Sequence, residues 1–157
     1  MSRNHLQSIA RYYDGCSTGD IPLMLETLHP DVVHYFLAPN VGSAPVAGAE
    51  HLARYWRKVT AMIRATWVVD HILDGVDEAV IEWTMSWLPP GEDEPVATRG
   101  AEWFVFRDGL ISEIRSYYQQ RPATTELEGF PYPERGYSTP GELSSAIHQP
   151  KTNEDAR

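Results

Sequence analysis

A single cysteine, Cys16, stands in 157 residues, which excludes an internal disulfide and is compatible with a reducing cytosol. Positive charge is scarce too: 13 Lys and Arg face 22 Asp and Glu, for a formal charge of −9. No Lys/Arg cluster offers a phosphate footprint, so no nucleic-acid partner is expected. No stretch has the apolar length of a membrane span, and the opening Met-Ser-Arg-Asn-His-Leu-Gln lacks the apolar run of a signal peptide. The expectation is a cytoplasmic protein with no membrane partner. No Gly-rich phosphate loop is visible, and no cofactor is expected.

What the chain does have is rings. Five Trp and eight Tyr argue against disorder and predict large side chains lining a core or a cavity. The length fits one domain whose core stands without disulfide or metal.

Apolar spacing predicts a helix over 4–17, with Gly15 weakening its last turn and Gly19 stopping it. Asp20 caps a second short helix that Pro30 ends. Residues 31–37 read as a strand. A third helix starts near Gly48 and carries Leu52, Tyr55, Trp56, Val59, Met62 and Ile63 on one face. The period then changes to two, giving strands over 66–74, 79–88, 96–107 and 110–119, with Arg107-Asp108-Gly109 as a tight turn. Helices first and a meander of strands after predict a segregated α+β fold. Residues 121–141 hold four prolines and three glycines, so the pattern divides into a domain over 1–120 and an extended C-terminal arm with a partly disordered tail over 121–157. The arm, with Phe130, Tyr132 and Tyr137, is read as a lid on the pocket or a reach across a dimer.

The order helix–helix–strand–helix–four strands, with Tyr12 in the first helix and Gly19-Asp20 opening the second, resembles the nuclear transport factor 2-like superfamily. Within it the chain is most similar to the SnoaL-like group, whose relatives include steroid Δ-isomerases, scytalone dehydratase, limonene epoxide hydrolase and polyketide cyclases. The resemblance covers about residues 4–120. It implies a cone-shaped half-barrel, with three N-terminal helices packed on a curved mixed, mostly antiparallel sheet, and a homodimer as the default assembly.

The resemblance also implies site residues. Tyr12 matches the oxyanion-hole tyrosine of the ketosteroid isomerases, and Glu102 their protonated aspartic acid. Their base falls on Phe36, which cannot abstract a proton. His71 is similar to a catalytic histidine of scytalone dehydratase, and Tyr35 to its water-activating tyrosine. In the last strand, where epoxide hydrolases and cyclases keep an aspartate, stands Arg115-Ser116-Tyr117.

Parity in the strands bears on the same residues. Alternation puts His71 with Trp67, Val69 and Leu73 on the face the fold turns inward, where an imidazole can act as base or acid. Glu102 shares a face with Phe104 and Phe106, so its carboxyl enters an apolar cavity and is held protonated. A pair with Arg99 is the bland alternative. Tyr13 reads as core and Tyr12 as the cavity-facing ring. Only one of His34 and Tyr35 can face inward, and periodicity leaves the choice open. His34, His71 and Glu102 lack the short spacings of metal sites, so no metal is expected.

The catalytic set expected is therefore His71, Glu102 and Tyr12: His71 moves a proton, while Glu102 and Tyr12 polarise a substrate oxygen. Substrate contacts are expected from His34, Tyr35, Phe36, Trp67, Trp83, Trp87, Phe104, Ser116 and Tyr118. This composes a cofactor-independent isomerase, dehydratase or cyclase acting on a small apolar oxygenated molecule. The alternative is a ligand-binding protein with the same pocket and no chemistry.

Overall fold

A computed structural model describes residues 5–40, 44–119 and 126–139. Three helices, α1 (His5–Thr18), α2 (Ile21–Leu25) and α3 (Ala49–Ile63), pack on one face of a six-stranded sheet. Its strands are β1 (Leu28–Phe36), β2 (Val46–Ala47), β3 (Thr66–Asp74), β4 (Glu78–Trp87), β5 (Val96–Arg107) and β6 (Leu110–Tyr118). The order across the sheet is β2-β1-β6-β5-β4-β3, and only β1 with β6 is parallel. This is the segregated α+β fold that the order of elements implied, and the open, mixed, mostly antiparallel cone that the resemblance implied.

Local chemistry explains the ends of the helices. Asp20 accepts from the Leu23 amide at 3.0 Å to open α2, with Pro22 inside its first turn. Gly15 does more than weaken α1: a Cβ there would lie 2.6 Å from Met24 Cγ, so its bareness lets α1 and α2 approach. At Asp108-Gly109 both residues have positive φ, which joins β5 to β6 in a two-residue hairpin. Pro30 does not bound a helix as expected. It lies inside β1, which begins at Leu28 on the chain's return from α2.

Two bulges decide which side chains face inward. On β3, Val69 pairs with Trp83 but His71 pairs with Glu82, so Asp70 is the extra residue and parity flips after it. The alternation read from the sequence is therefore corrected beyond Val69: Ile72 faces the helices, and His71 and Leu73 face outward. On β6 a second bulge at Ser112 restores the inward set of Ile111, Ile114 and Ser116.

Candidate active site

Between α1, α3 and the inner sheet face lies a cavity of about 240 Å³. Tyr13 and Cys16 reach it from α1, and Tyr55, Trp56, Val59, Met62 and Ile63 from α3. The sheet supplies Trp67, Trp83, Met85, Glu102 and Tyr118. The rings form a continuous wall: Tyr55 meets Trp56 edge-on at 4.9 Å, and Trp56 meets Trp67 at 5.3 Å. Trp83 packs on Tyr118 at 5.4 Å. Its ring crosses β5 at Gly100, where a Cβ would stand 2.6 Å from Cζ2.

Among the described residues, Glu102 carries the only carboxyl on this lining. It is buried in the middle of β5, and Tyr13 Oη donates to its Oε2. Ser116 Oγ donates to its Oε1 at 3.1 Å, and Ser116 in turn is bonded to His34 Nε2. Burial drives the carboxyl up to about 7, with the Tyr13 and Ser116 donors pulling the other way. Arg99, the bland partner, sits on the opposite sheet face. His34 is fully buried, and desolvation lowers it to about 3, so its imidazole is neutral. Burial raises the Tyr13, Tyr55 and Tyr118 phenols, which therefore remain protonated donors.

The expected site residues separate into groups. Trp67, Trp83, Glu102 and Tyr118 line the cavity as expected. His34, Phe36 and Ser116 face inward behind it, and His34 stacks on Phe36 at 4.5 Å. That settles the His34 or Tyr35 question in favour of His34; Tyr35 falls on the outer face because the strand alternates. Trp87 is buried at the far end of β4, donating to Thr98 Oγ1 at 2.8 Å, and Phe104 is core between Tyr12 and Tyr13.

Two of the three residues expected to be catalytic lie elsewhere. Tyr12 is buried beside Tyr13 and Phe104, close to Glu102 but not among the residues that line the cavity, and its hydroxyl has no hydrogen-bond partner among the described residues. The α1 turn brings Tyr13 to Glu102 instead. His71 is on the outer face because of the Asp70 bulge. Its Nε2 donates to the Arg135 carbonyl at 2.7 Å, and its Nδ1 lies 3.3 Å from Glu82 Oε1. It cannot converge with His34 and Glu102 on one ion. Among the described residues no three His, Cys, Asp or Glu side chains form a metal-binding group.

Sequence reasoning missed Tyr13, Tyr55, Trp56 and Cys16 as cavity residues. The apolar faces of α1 and α3 carried the signal, but a face that lines a cavity and one that fills a core have the same period. The stretch 126–139 lies over the outer face of the sheet. There Ser138 donates from N and Oγ to Asp70 Oδ1, and Arg99 rests on the Tyr132 ring at 4.5 Å. Within 126–139 no residue lines the cavity. Residues 120–125 and 140–157, with the tail expected to be disordered, fall outside the described residues.

No described helix is long and apolar enough to cross a membrane. The model of the SnoaL-like domain family matches residues 9–114. A crystal structure of a protein of unknown function with a cystatin-like fold, from Methylobium petroleophilum PM1, is 34% identical. The match covers 93% of this chain and 99% of that one, with a TM-score of 0.65. A protein with a ketosteroid isomerase-like fold from Catenulispora acidiphila DSM 44928, in complex with trimethylamine, is 16% identical. That match covers 73% and 86% of the two chains at a TM-score of 0.64. A candidate polyketide cyclase from Pseudomonas putida KT2440 is 20% identical over 75% and 93%, with a TM-score of 0.62. Among curated proteins none matches the chain.

Proposed function

The chain belongs to the SnoaL-like domain family, and on that premise we propose that it is a cofactor-independent acid–base enzyme. Its substrate is a small, largely apolar, oxygenated molecule, and Glu102 is its proton carrier. One observation carries this reading: a carboxyl poised near neutral pH opens onto an otherwise aromatic and aliphatic cavity. A group that ionises close to the working pH is present in both forms and can accept and return a proton in one cycle.

The shared step is enolisation. Glu102 as carboxylate takes a proton from the carbon next to a substrate carbonyl. The electron pair of that bond moves to the carbonyl oxygen, where a Tyr55 or Tyr118 hydroxyl donates to it. The protonated Glu102 then returns the proton to another carbon, which isomerises the substrate, or to a departing hydroxyl, which dehydrates it. Attack of the enolate carbon on a second carbonyl closes a ring. The cavity is smaller than drug-sized pockets usually are, which favours substrates of one or two rings. The candidate cyclase and the isomerase-like fold among the similar structures support the same class of chemistry.

The test needs no knowledge of the natural substrate. A panel of mono- and bicyclic ketones in D₂O is followed by proton NMR for loss of the signals next to the carbonyl. Exchange catalysed by the wild type and lost in Glu102→Gln supports the reading. Binding of the same ketones with no exchange in either protein makes it a ligand-binding protein instead.

A further inference from the structure

Behind Glu102 a polar line runs through the core from β5 to β6 to β1. Ser116 Oγ bridges Glu102 Oε1 and His34 Nε2, and all three side chains are buried. His34 Nδ1 has no partner among the described residues. A buried N–H without an acceptor is rarer and costlier than a bare lone pair, so the imidazole hydrogen belongs on Nε2. The direction of every other hydrogen follows. His34 Nε2–H donates to Ser116 Oγ, which frees the Ser116 hydrogen for Glu102 Oε1. Tyr13 donates to Oε2 from the other side. Both oxygens then accept, an arrangement that favours the carboxylate over the acid form.

The groups facing Glu102 leave little else to set its ionisation. They are Tyr12, Tyr13 and Cys16 on α1, His34 on β1, and Tyr118 on β6. None carries positive charge near neutral pH, so hydrogen bonding is the one term that opposes desolvation.

We propose that His34 is a positioning residue: with its hydrogen on Nε2 it turns the Ser116 hydroxyl toward Glu102 and thereby sets the pH at which Glu102 gives up its proton. This deepens the assignment of Glu102 as proton carrier and rests on it for its catalytic meaning.

The experiment is a pH titration followed by ¹³C NMR of protein labelled at the glutamate carboxyl, with Glu102 identified by comparison with Glu102→Gln. Ser116→Ala should move the Glu102 midpoint upward by about one pH unit, because a donor to the charged form is lost. His34→Phe keeps the ring stack on Phe36 but cannot donate, and should move the midpoint upward by roughly a few tenths of a unit. His34→Gln, which restores a donor, should return it toward the wild type. A downward or absent shift in His34→Phe overturns the proposal, since the opposite tautomer would have been drawing the Ser116 hydrogen away. Should these variants not fold, the wild type alone decides through its imidazole ¹⁵N shifts. An unprotonated Nδ1 on His34 supports the proposal, and a protonated Nδ1 sinks it. Midpoints that move as expected while Glu102→Gln retains full ketone exchange would leave the relay standing and remove the catalytic reading.

Discussion

Tyr13 Oη donates to Glu102 Oε2, joining the first helix to the centre of the sheet across 89 positions of sequence. Both groups are buried, and Glu102 looks into the cavity beside the phenol that holds it. The bond favours the carboxylate while burial favours the acid. The balance of the two leaves Glu102 near pH 7.

That balance gives activity a rising pH dependence. As the base form of Glu102 fills, ketone exchange should rise with pH and level off above about 7. Glu102→Gln should reduce exchange by roughly a hundredfold or more and leave ketone affinity within a few-fold. Tyr13→Phe removes a donor to the charged form, so the midpoint of the pH–rate curve should move upward. A midpoint that stays in place would show that Tyr13 does not tune Glu102.

The same carboxyl should leave a mark on stability. Its pKa is raised on folding from 4.5 to about 7. The folded state therefore holds a proton that the unfolded state has already released over this interval. Stability from this group is fully present below about pH 4.5 and is lost as pH rises toward 7 and slightly beyond. In urea titrations at several pH values, Glu102→Gln should lack that loss. Between about pH 4.5 and pH 8 the wild type should lose stability relative to the variant by a margin on the order of 3 kcal/mol. Parallel pH curves for the two proteins would mean that Glu102 is not raised at all.

The fold was legible because helical and strand periods are long-range patterns that single residues hardly disturb. The interior of the site was less so, and particular residues account for it. One bulged residue, Asp70, turned His71 from the inner face to the outer, and a bulge leaves no mark in an alternating run as short as β3. Tyr12 and Tyr13 are adjacent on α1, and the sequence does not state which of them sits over Glu102. Helix rotation about its own axis settles that, and rotation is set by packing against α2 at Gly15 and against the sheet. Glu102 was readable from both sides. Its strand parity was undisturbed through Phe104, and an acidic residue that alternates in step with inward apolar neighbours must project its carboxyl into the interior.

Gly100 should be the least replaceable residue of β5. It pairs with Trp83 on β4 and Tyr118 on β6, and a Cβ there would lie 2.6 Å from Trp83 Cζ2 and 2.9 Å from Tyr118 Cβ. Gly100→Ala must push the indole into the cavity or the strands apart. The cost expected for such overpacking is about 1–3 kcal/mol. Near-ultraviolet circular dichroism should change with it, and ketone exchange should fall as the Trp83 indole or Tyr118 is displaced. A variant with wild-type stability and spectrum would show that the indole can shift at no cost.

On the outer face Trp103 is 37% exposed and Tyr117 41%, with the Arg115 guanidinium 5.4 Å from the Trp103 ring centre. Aromatic surface of this kind on a sheet face suits a second copy of the chain. We expect a homodimer in sedimentation velocity at tens of micromolar protein. Trp103→Glu should shift it to monomer while leaving the Glu102 titration intact. A wild type that sediments as a monomer at that concentration rejects the expectation.

The stretch 126–139 is held to the sheet largely through Arg99 and Asp70. Arg99 pairs with Glu126 at 2.7 Å, donates to Thr84 Oγ1 at 2.6 Å and bonds the Ser138 carbonyl. Tyr132 and Tyr137 lie over the same guanidinium at 4.5 and 5.7 Å. Asp70 accepts from Ser138 N at 3.0 Å and Ser138 Oγ at 2.9 Å. Arg99 reaches both ends of the stretch, Glu126 and Ser138, while His71 and Glu82 hold Arg135 and Tyr137 between them. Arg99→Ala should therefore raise amide hydrogen exchange most at the two ends of 126–139, with a stability loss of about 1–3 kcal/mol. Since the stretch lies on the face away from the cavity, ketone exchange should change little. If exchange activity falls together with the protection of 126–139, the two sheet faces are coupled, and the outer segment belongs to the active unit.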